Sequence, residues 1–218
     1  MILYGSSFSP YVRKTLAYAA EKGIPLELQQ RGLGAVDPDF REASPFAKIP
    51  GFRDGDFAIS DSTAIITYLE AKHPTPPLLP AEPKSRARTV WYEEFADTIL
   101  IACMGKMFFN QVVSPRFLGR PGDMAVAEKA AKEELPPLID YIETVMPASG
   151  YLVDDRLTLA DIAVASPFVN FAHCGVNVDK AKHPKTAAFI EAMLARPSFA
   201  PWVEQEKAFL ARPARAPA

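Results

Sequence analysis

The stretch Tyr4 to Lys14, YGSSFSPYVRK, gathers the hydroxyls of Tyr4, Ser6, Ser7, Ser9 and Tyr11 between a short apolar run and a helical pattern. Ser9 stands directly before Pro10, the order of a helix N-cap followed by the first helical residue. A hydroxyl has one donor and two acceptor sites, so Ser9 can accept from the helix backbone and still donate to an anion, which the helix dipole also favours there. SDST, Ser60 to Thr63, also reads as an N-cap cluster, worth ~1 kcal/mol for its best residue. Free N–H groups at a helix start plus the Ser62 hydroxyl form an anion site, and the neighbouring Asp61 carboxylate can bind a cation. A third feature is Ile49-Pro50, directly before an apolar run.

Other chemistries find little support. Lys plus Arg (24) nearly balances Asp plus Glu (26) over 218 residues, a net charge of −2, so nucleic acid and anionic membrane are not expected partners. The basic run PKSRAR (83–88) reads as a solvated helix start. MILYGSSFSP has no basic n-region and reads as neither signal peptide nor anchor. No apolar stretch approaches the ~18 residues of a membrane span. Cys103 and Cys174 form no C-x-x-C pair, which argues against a disulfide framework or dithiol site and fits a reducing cytoplasm. His73, His173 and His183 all lie far from the serine cluster, and His73 and His183 precede prolines, so a Ser-His-Asp triad is poorly supported. No metal site is expected.

The elements that must position these residues change character along the chain. Ile2-Leu3-Tyr4 reads as a strand, Pro10 onward as a helix with Val12, Leu16, Ala19 and Ala20 on its face, and Gly23 as its stop. Ile24, Leu26 and Leu28 alternate as a second strand, completing βαβ. After a polar loop with Gly32, Gly34 and Pro38, Asp54-Gly55 between Ile49–Phe52 and Phe57–Ile59 signals a hairpin, and Ala64, Ile65, Tyr68 and Leu69 a helix, giving ββα. Five prolines between residues 74 and 83 read as an interdomain linker. Beyond it the pattern is helical: Trp91, Phe95, Ile99, Cys103 and Met107 recur every four residues from a start near Ser85. A helix over 123–145 has Ala127, Ala131, Leu135, Leu138 and Ile142 inward and a kink at Pro136-Pro137. LTLADI holds a capping box, Thr158 with Asp161 in place of Glu or Gln, and the last clear helix begins at Pro184. The tail ARPARAPA reads as loose. The expected domains are 1–76, a linker 77–84, and 85–218.

This order, with SPYVRK after the first strand, KIPGF opening the third, SDSTAIITYLE starting the third helix and LTLADI in the helical part, resembles the cytosolic glutathione transferases, serine-type and bacterial or plant-like. The resemblance implies an α/β thioredoxin-like N-terminal domain followed by an all-α domain. It implies that Ile49-Pro50 is cis, against a base rate of ~5% for X-Pro bonds, and that Ile49 binds the cysteinyl backbone of glutathione through its main chain. Ser62 would hold the γ-glutamyl α-carboxylate, Asp61 the α-ammonium, although the family more often has Glu there, and Lys48 the glycine carboxylate.

The implied function is glutathione S-transferase, a detoxifying transferase that stabilises the thiolate of glutathione, its co-substrate, for attack on a hydrophobic electrophile. Ser9 is the favoured catalytic hydroxyl, Ser6 the runner-up, and Tyr4 the choice in tyrosine-type branches. Tyr11, Phe108 and Phe109 are expected in the electrophile pocket, the last two because consecutive helical residues cannot both face the core. The resemblance also implies a soluble cytoplasmic homodimer. The alternatives are a non-catalytic glutathione-binding or interaction protein on the same fold, or a glutathione-dependent isomerase, peroxidase or dehalogenase.

Overall fold

The computed structural model describes residues 1–32 and 35–212; the expectations for Gly34 and for most of the tail lie outside the described residues. The chain begins β1 (Ile2–Gly5), α1 (Pro10–Glu21), β2 (Glu27–Gln30), α2 (Pro38–Ala43), β3 (Gly51–Asp54), β4 (Phe57–Ser60) and α3 (Ser62–Lys72). The sheet order is β2-β1-β3-β4, with β1 parallel to β2 and antiparallel to β3, and β3 antiparallel to β4. The expected βαβ and ββα units are both present, with α2 added between them.

Three local differences from the sequence reading have plain causes. β2 begins three residues after Ile24, because the Ile24 N–H donates back to the Ala19 carbonyl at 2.8 Å and Gly23 sits at φ 67°, a left-handed closure of α1 that uses up both residues. Helix α2 lies where the sequence predicts a loop, yet Asp37-Pro38 repeats the cap-then-proline signal of Ser9-Pro10, and the Asp37 carboxylate accepts from the Phe40 N–H at 3.2 Å. The hairpin turn is Gly55-Asp56 rather than Asp54-Gly55, since Asp54 still pairs with Phe57.

A helical run follows: α4 (Pro83–Glu94), a π-helical turn (Phe95–Leu100), α5 (Ile101–Phe108), a second π turn (Phe109–Val113) and α6 (Ser114–Phe117). The expected stripe breaks, for Trp91 and Ile99 are 52% and 41% exposed while Phe95, Cys103 and Met107 are buried. A repeat of four drifts ~40° per step on a 3.6-residue helix, so Ala96, Leu100 and Met104 take over the buried face. Next come α7 (Met124–Lys129), a π turn (Ala130–Glu134) and α8 (Leu135–Val145). Here Ala130 and Ile139 are buried in place of Ala131 and Leu138, and Pro136-Pro137 opens α8 directly after the π turn. The remainder is α9 (Leu159–His173), α10 (Pro184–Leu194) and α11 (Ala200–Leu210), the last a helix beyond the one read as final.

Helix α1 is buried on nearly every side between the sheet and α9. Such a helix should be apolar all round, but Arg13 and Lys14 lie inside it at 0% and 1% exposure. Each therefore carries a buried carboxylate partner, Glu206 at 2.8 Å for Arg13 and Glu93 at 2.8 Å for Lys14. These pairs join α1 to α11 and to α4. The span read as a linker contributes Leu78 and Leu79 to the same core.

Candidate functional site

Strand register brings the sequence-predicted residues to one end of the sheet. Tyr4 stands opposite Gly51, and Gly51 opposite Ser60. The loop into α1, the segment entering β3 and the turn into α3 therefore leave the sheet side by side. The Ile49-Pro50 peptide is cis. A Cβ on Gly5 would lie 2.5 Å from Val12 Cγ2 and 3.4 Å from Ile49 Cβ, so the absence of a side chain there lets the first turn of α1 close onto this segment.

The hydroxyls separate by environment. Ser9 is the N-cap of α1, half-buried, with its N–H on the Ser6 carbonyl at 2.9 Å; the Val12 N–H reaches its Oγ at 3.5 Å, and the hydroxyl itself donates no hydrogen bond among the described residues. Ser6 is half-buried and Ser7 buried. Tyr4 is 2% exposed in a separate cluster with Phe40 and Ala43, under the Arg31 guanidinium, because strand alternation turns it away from the Leu3 face on which α1 packs. The Tyr11 hydroxyl donates to the Asp97 carbonyl at 2.9 Å. Burial, with the charges of Asp97, Asp61 and Glu94, pushes Tyr11 up to about 12, so it stays protonated.

At the start of α3, Asp61 Oδ1 accepts from the N–H groups of Thr63 and Ala64 at 2.9 and 3.1 Å, and its other oxygen makes no hydrogen bond among the described residues. Asp61 holds φ 82°, an unfavourable conformation for a residue with a Cβ; strain of this kind, about 1–3 kcal/mol, gathers at functional sites. Ser62 is 2% exposed at the first position of the helix. Lys48 is exposed, with its N–H on Ser44 Oγ at 3.0 Å and its carbonyl accepting from the same hydroxyl at 2.6 Å. Ser44 thus pins the segment before Ile49, a role that no local motif announces. Of the neighbouring cations, Arg31 is paired with Asp37 at 2.7 Å.

Facing the serine loop is an aromatic group. The ring of Phe8 lies 5.4 Å from Phe209, 5.5 Å from Phe117 and 6.3 Å from Phe108, and Phe117 and Phe209 are parallel at 5.6 Å. A cleft of about 420 Å³ opens here, its lining including Ser6, Ser7, Phe8, Phe117, Phe209 and Arg212. Phe108 is buried beneath it, while Phe109 is 43% exposed on the second π turn and makes no ring contact among the described residues. Neighbours on a helix point about 100° apart, and here only the first faces inward. Phe8 and Phe209 were missed in the sequence: Phe8 sits between two serines and Phe209 on a helix that ends in a proline-rich tail. A larger groove of about 490 Å³, between residues 146–151 and α10, contains none of the predicted residues.

Two family models match the chain: "Glutathione S-transferase, N-terminal domain" over residues 3–77 and "Glutathione S-transferase, C-terminal domain" over residues 116–206. Glutathione S-transferase 3 of Zea mays is 34% identical over 203 residues, 90% of each chain. A stringent starvation protein A homologue of Haemophilus ducreyi is 25% identical over 199 residues, 91% of this chain and 87% of that protein. A glutathione S-transferase of Methylobacterium radiotolerans, solved in complex with glutathione sulfonate, is 29% identical, with 93% of each chain covered and a TM-score of 0.74.

Proposed function

The chain belongs to the glutathione S-transferase family and is a glutathione transferase, and from that premise we propose that Ser9 is the hydroxyl that stabilises the thiolate. The observation that carries this reading is that the Ser9 hydroxyl, at the N-terminus of α1, accepts from the helix and donates no hydrogen bond among the described residues; Ser6, Ser7 and Phe8, just before it, line the cleft. A free cysteine thiol ionises near ~8.5, so at neutral pH the weaker nucleophile predominates. The Ser9 hydroxyl donates to the sulfur and the α1 dipole favours its negative charge. Each unit by which the thiol pKa falls corresponds to about 1.4 kcal/mol of preferential thiolate binding. The thiol proton leaves to solvent, and the sulfur forms its new bond to the electrophilic carbon as the leaving group departs.

The residues present fit the rest of glutathione. The start of α3 offers the Ser62 hydroxyl and helix N–H groups for an α-carboxylate, and the outer oxygen of Asp61 suits an α-ammonium. The Ile49 main chain is engaged in no backbone hydrogen bond among the described residues, which leaves it available to a peptide backbone. The exposed Lys48 suits the glycine carboxylate. The Phe8, Phe117 and Phe209 rings, over Phe108, form the electrophile's apolar wall; Tyr11 and Phe109 are not among the residues lining this cleft.

We extend the proposal to a cytoplasmic homodimer with a role in detoxification. Phe46 and Val36, 85% and 81% exposed, supply apolar surface of the kind a subunit contact covers, and Cys103 and Cys174 are both unpaired. Retention on immobilised glutathione and conjugation of an activated chloroarene by wild type, Ser9→Ala and Ser6→Ala test the reading. Loss of turnover with retained binding in Ser9→Ala supports it; full activity in that variant moves the role to Ser6. Binding without turnover in the wild type favours the non-catalytic alternative.

A further inference from the structure

Two side chains of α9 reach the main chain on either side of Ser9. Asn170 Nδ2 donates to the Phe8 carbonyl at 2.9 Å, and Ser166 Oγ donates to the Pro10 carbonyl at 2.8 Å. One helical turn apart, the two share a face of α9. Both are themselves held. Arg13 Nη1 donates to Asn170 Oδ1 at 2.9 Å and to the Ser166 carbonyl at 2.8 Å. Because the guanidinium requires the amide oxygen, the Asn170 amide has its nitrogen left for Phe8. Arg13 Nε and Nη2 are in turn fixed by Glu206 at 3.3 and 2.8 Å, and Glu206 also meets His173 Nε2 at 2.9 Å. Arg13, Ser166, Asn170 and Glu206 are all at most 1% exposed.

Local structure holds the Ser9 backbone, with its N–H on the Ser6 carbonyl and its carbonyl accepting from the Arg13 N–H, both at 2.9 Å, while its side chain makes only the 3.5 Å cap bond. From the two α9 bonds we infer that Asn170 and Ser166 are positioning residues for Ser9: they fix the Phe8–Ser9 peptide group and the carbonyl of Pro10, the residue that follows, so that the Ser9 hydroxyl is aimed before glutathione arrives. The inference rests on the reading of Ser9 as the thiol's donor. Neither residue touches substrate. Each acts by limiting where the Ser9 Cα can sit, and small misplacements at a reacting centre are costly.

The test uses the full chain with Asn170→Ala, Ser166→Ala, Ser9→Ala and Thr158→Ala, the last a variant that weakens the start of α9 without touching the loop. Three quantities are read: KM for glutathione, kcat with an activated chloroarene, and the pH at which bound thiol ionises, followed by thiolate ultraviolet absorbance. Asn170→Ala is expected to lower kcat about 10–100-fold and to raise the ionisation pH, with KM for glutathione changed by less than about two-fold. Ser166→Ala should act in the same direction, and it carries the test should Asn170→Ala fail to fold. Thr158→Ala should lose stability and leave the ionisation pH in place. Unchanged kcat and thiol ionisation in the folded variants overturns the inference, as does an equal shift in Thr158→Ala. An unchanged ionisation pH in Ser9→Ala instead removes the Ser9 reading and the inference with it.

Discussion

Gly5 and Val12 approach so closely that a Cβ on Gly5 would stand 2.5 Å from Val12 Cγ2, inside any normal contact. Val12 is 0% exposed, so neither partner can yield into solvent. Gly5→Ala is therefore expected to cost about 1–3 kcal/mol through overpacking, a fall in Tm of roughly 2–12 °C for a chain of this size. It should also weaken retention on immobilised glutathione, since the displaced turn carries Ser9 and abuts Ile49. Adding Val12→Ala should restore part of both losses. Thermal unfolding of the single and double variants would decide it, and strictly additive losses would refute the contact.

The capping box at α9 does more than sequence implies. Asp161 Oδ2 accepts from the Thr158 N–H at 2.8 Å, while Oδ1 accepts from the Leu152 N–H at 2.8 Å, nine residues back along the chain. Asp161→Ala strands two buried donors, the Thr158 N–H of the capping box and the Leu152 N–H, at ~1–3 kcal/mol each. A loss of about 2–6 kcal/mol in denaturant unfolding is expected, with KM for glutathione unchanged.

Burial pushes the Asp97 carboxyl from the ordinary 3.8 of an aspartate up to about 6, despite the Lys14 ammonium at 2.5 Å. The folded chain therefore binds more protons than the unfolded chain between those two values, and this group's contribution to stability falls as pH rises through that window. Wild type should lose on the order of 2–3 kcal/mol relative to Asp97→Asn between pH 4 and pH 6.5. Denaturant midpoints of both proteins across that range would test it; a constant difference would count against the assignment.

Phe209 and Phe117 present parallel, partly exposed rings beside the serine loop. Phe209→Ala should raise KM for an aromatic electrophile about 5–50-fold, equivalent to ~1–2.5 kcal/mol of lost ring contact, and leave KM for glutathione within about two-fold. Phe109→Ala, off the cleft, should change neither. A larger effect at Phe109 than at Phe209 would relocate the electrophile wall.

Sequence by itself determined the parts whose physics is local. A cap and its first-turn proline lie one residue apart, a hairpin signal spans two residues and a capping box four, so Ser9-Pro10, the β3–β4 turn and Thr158–Asp161 could be read without the fold. The helix starts at Asp61-Ser62 and at Asp37-Pro38 carry local signals of the same kind. Tertiary structure alone decided which groups share a site. Strand alternation sent Tyr4 to the opposite face, and helix packing took Phe108 inward and left Phe109 out. Phe209 reached Phe8 from the far end of the chain. The Asn170 and Ser166 bonds to the Ser9 loop span more than 150 residues. Contacts of that separation depend on how buried helices pack, and no spacing rule along the chain encodes them.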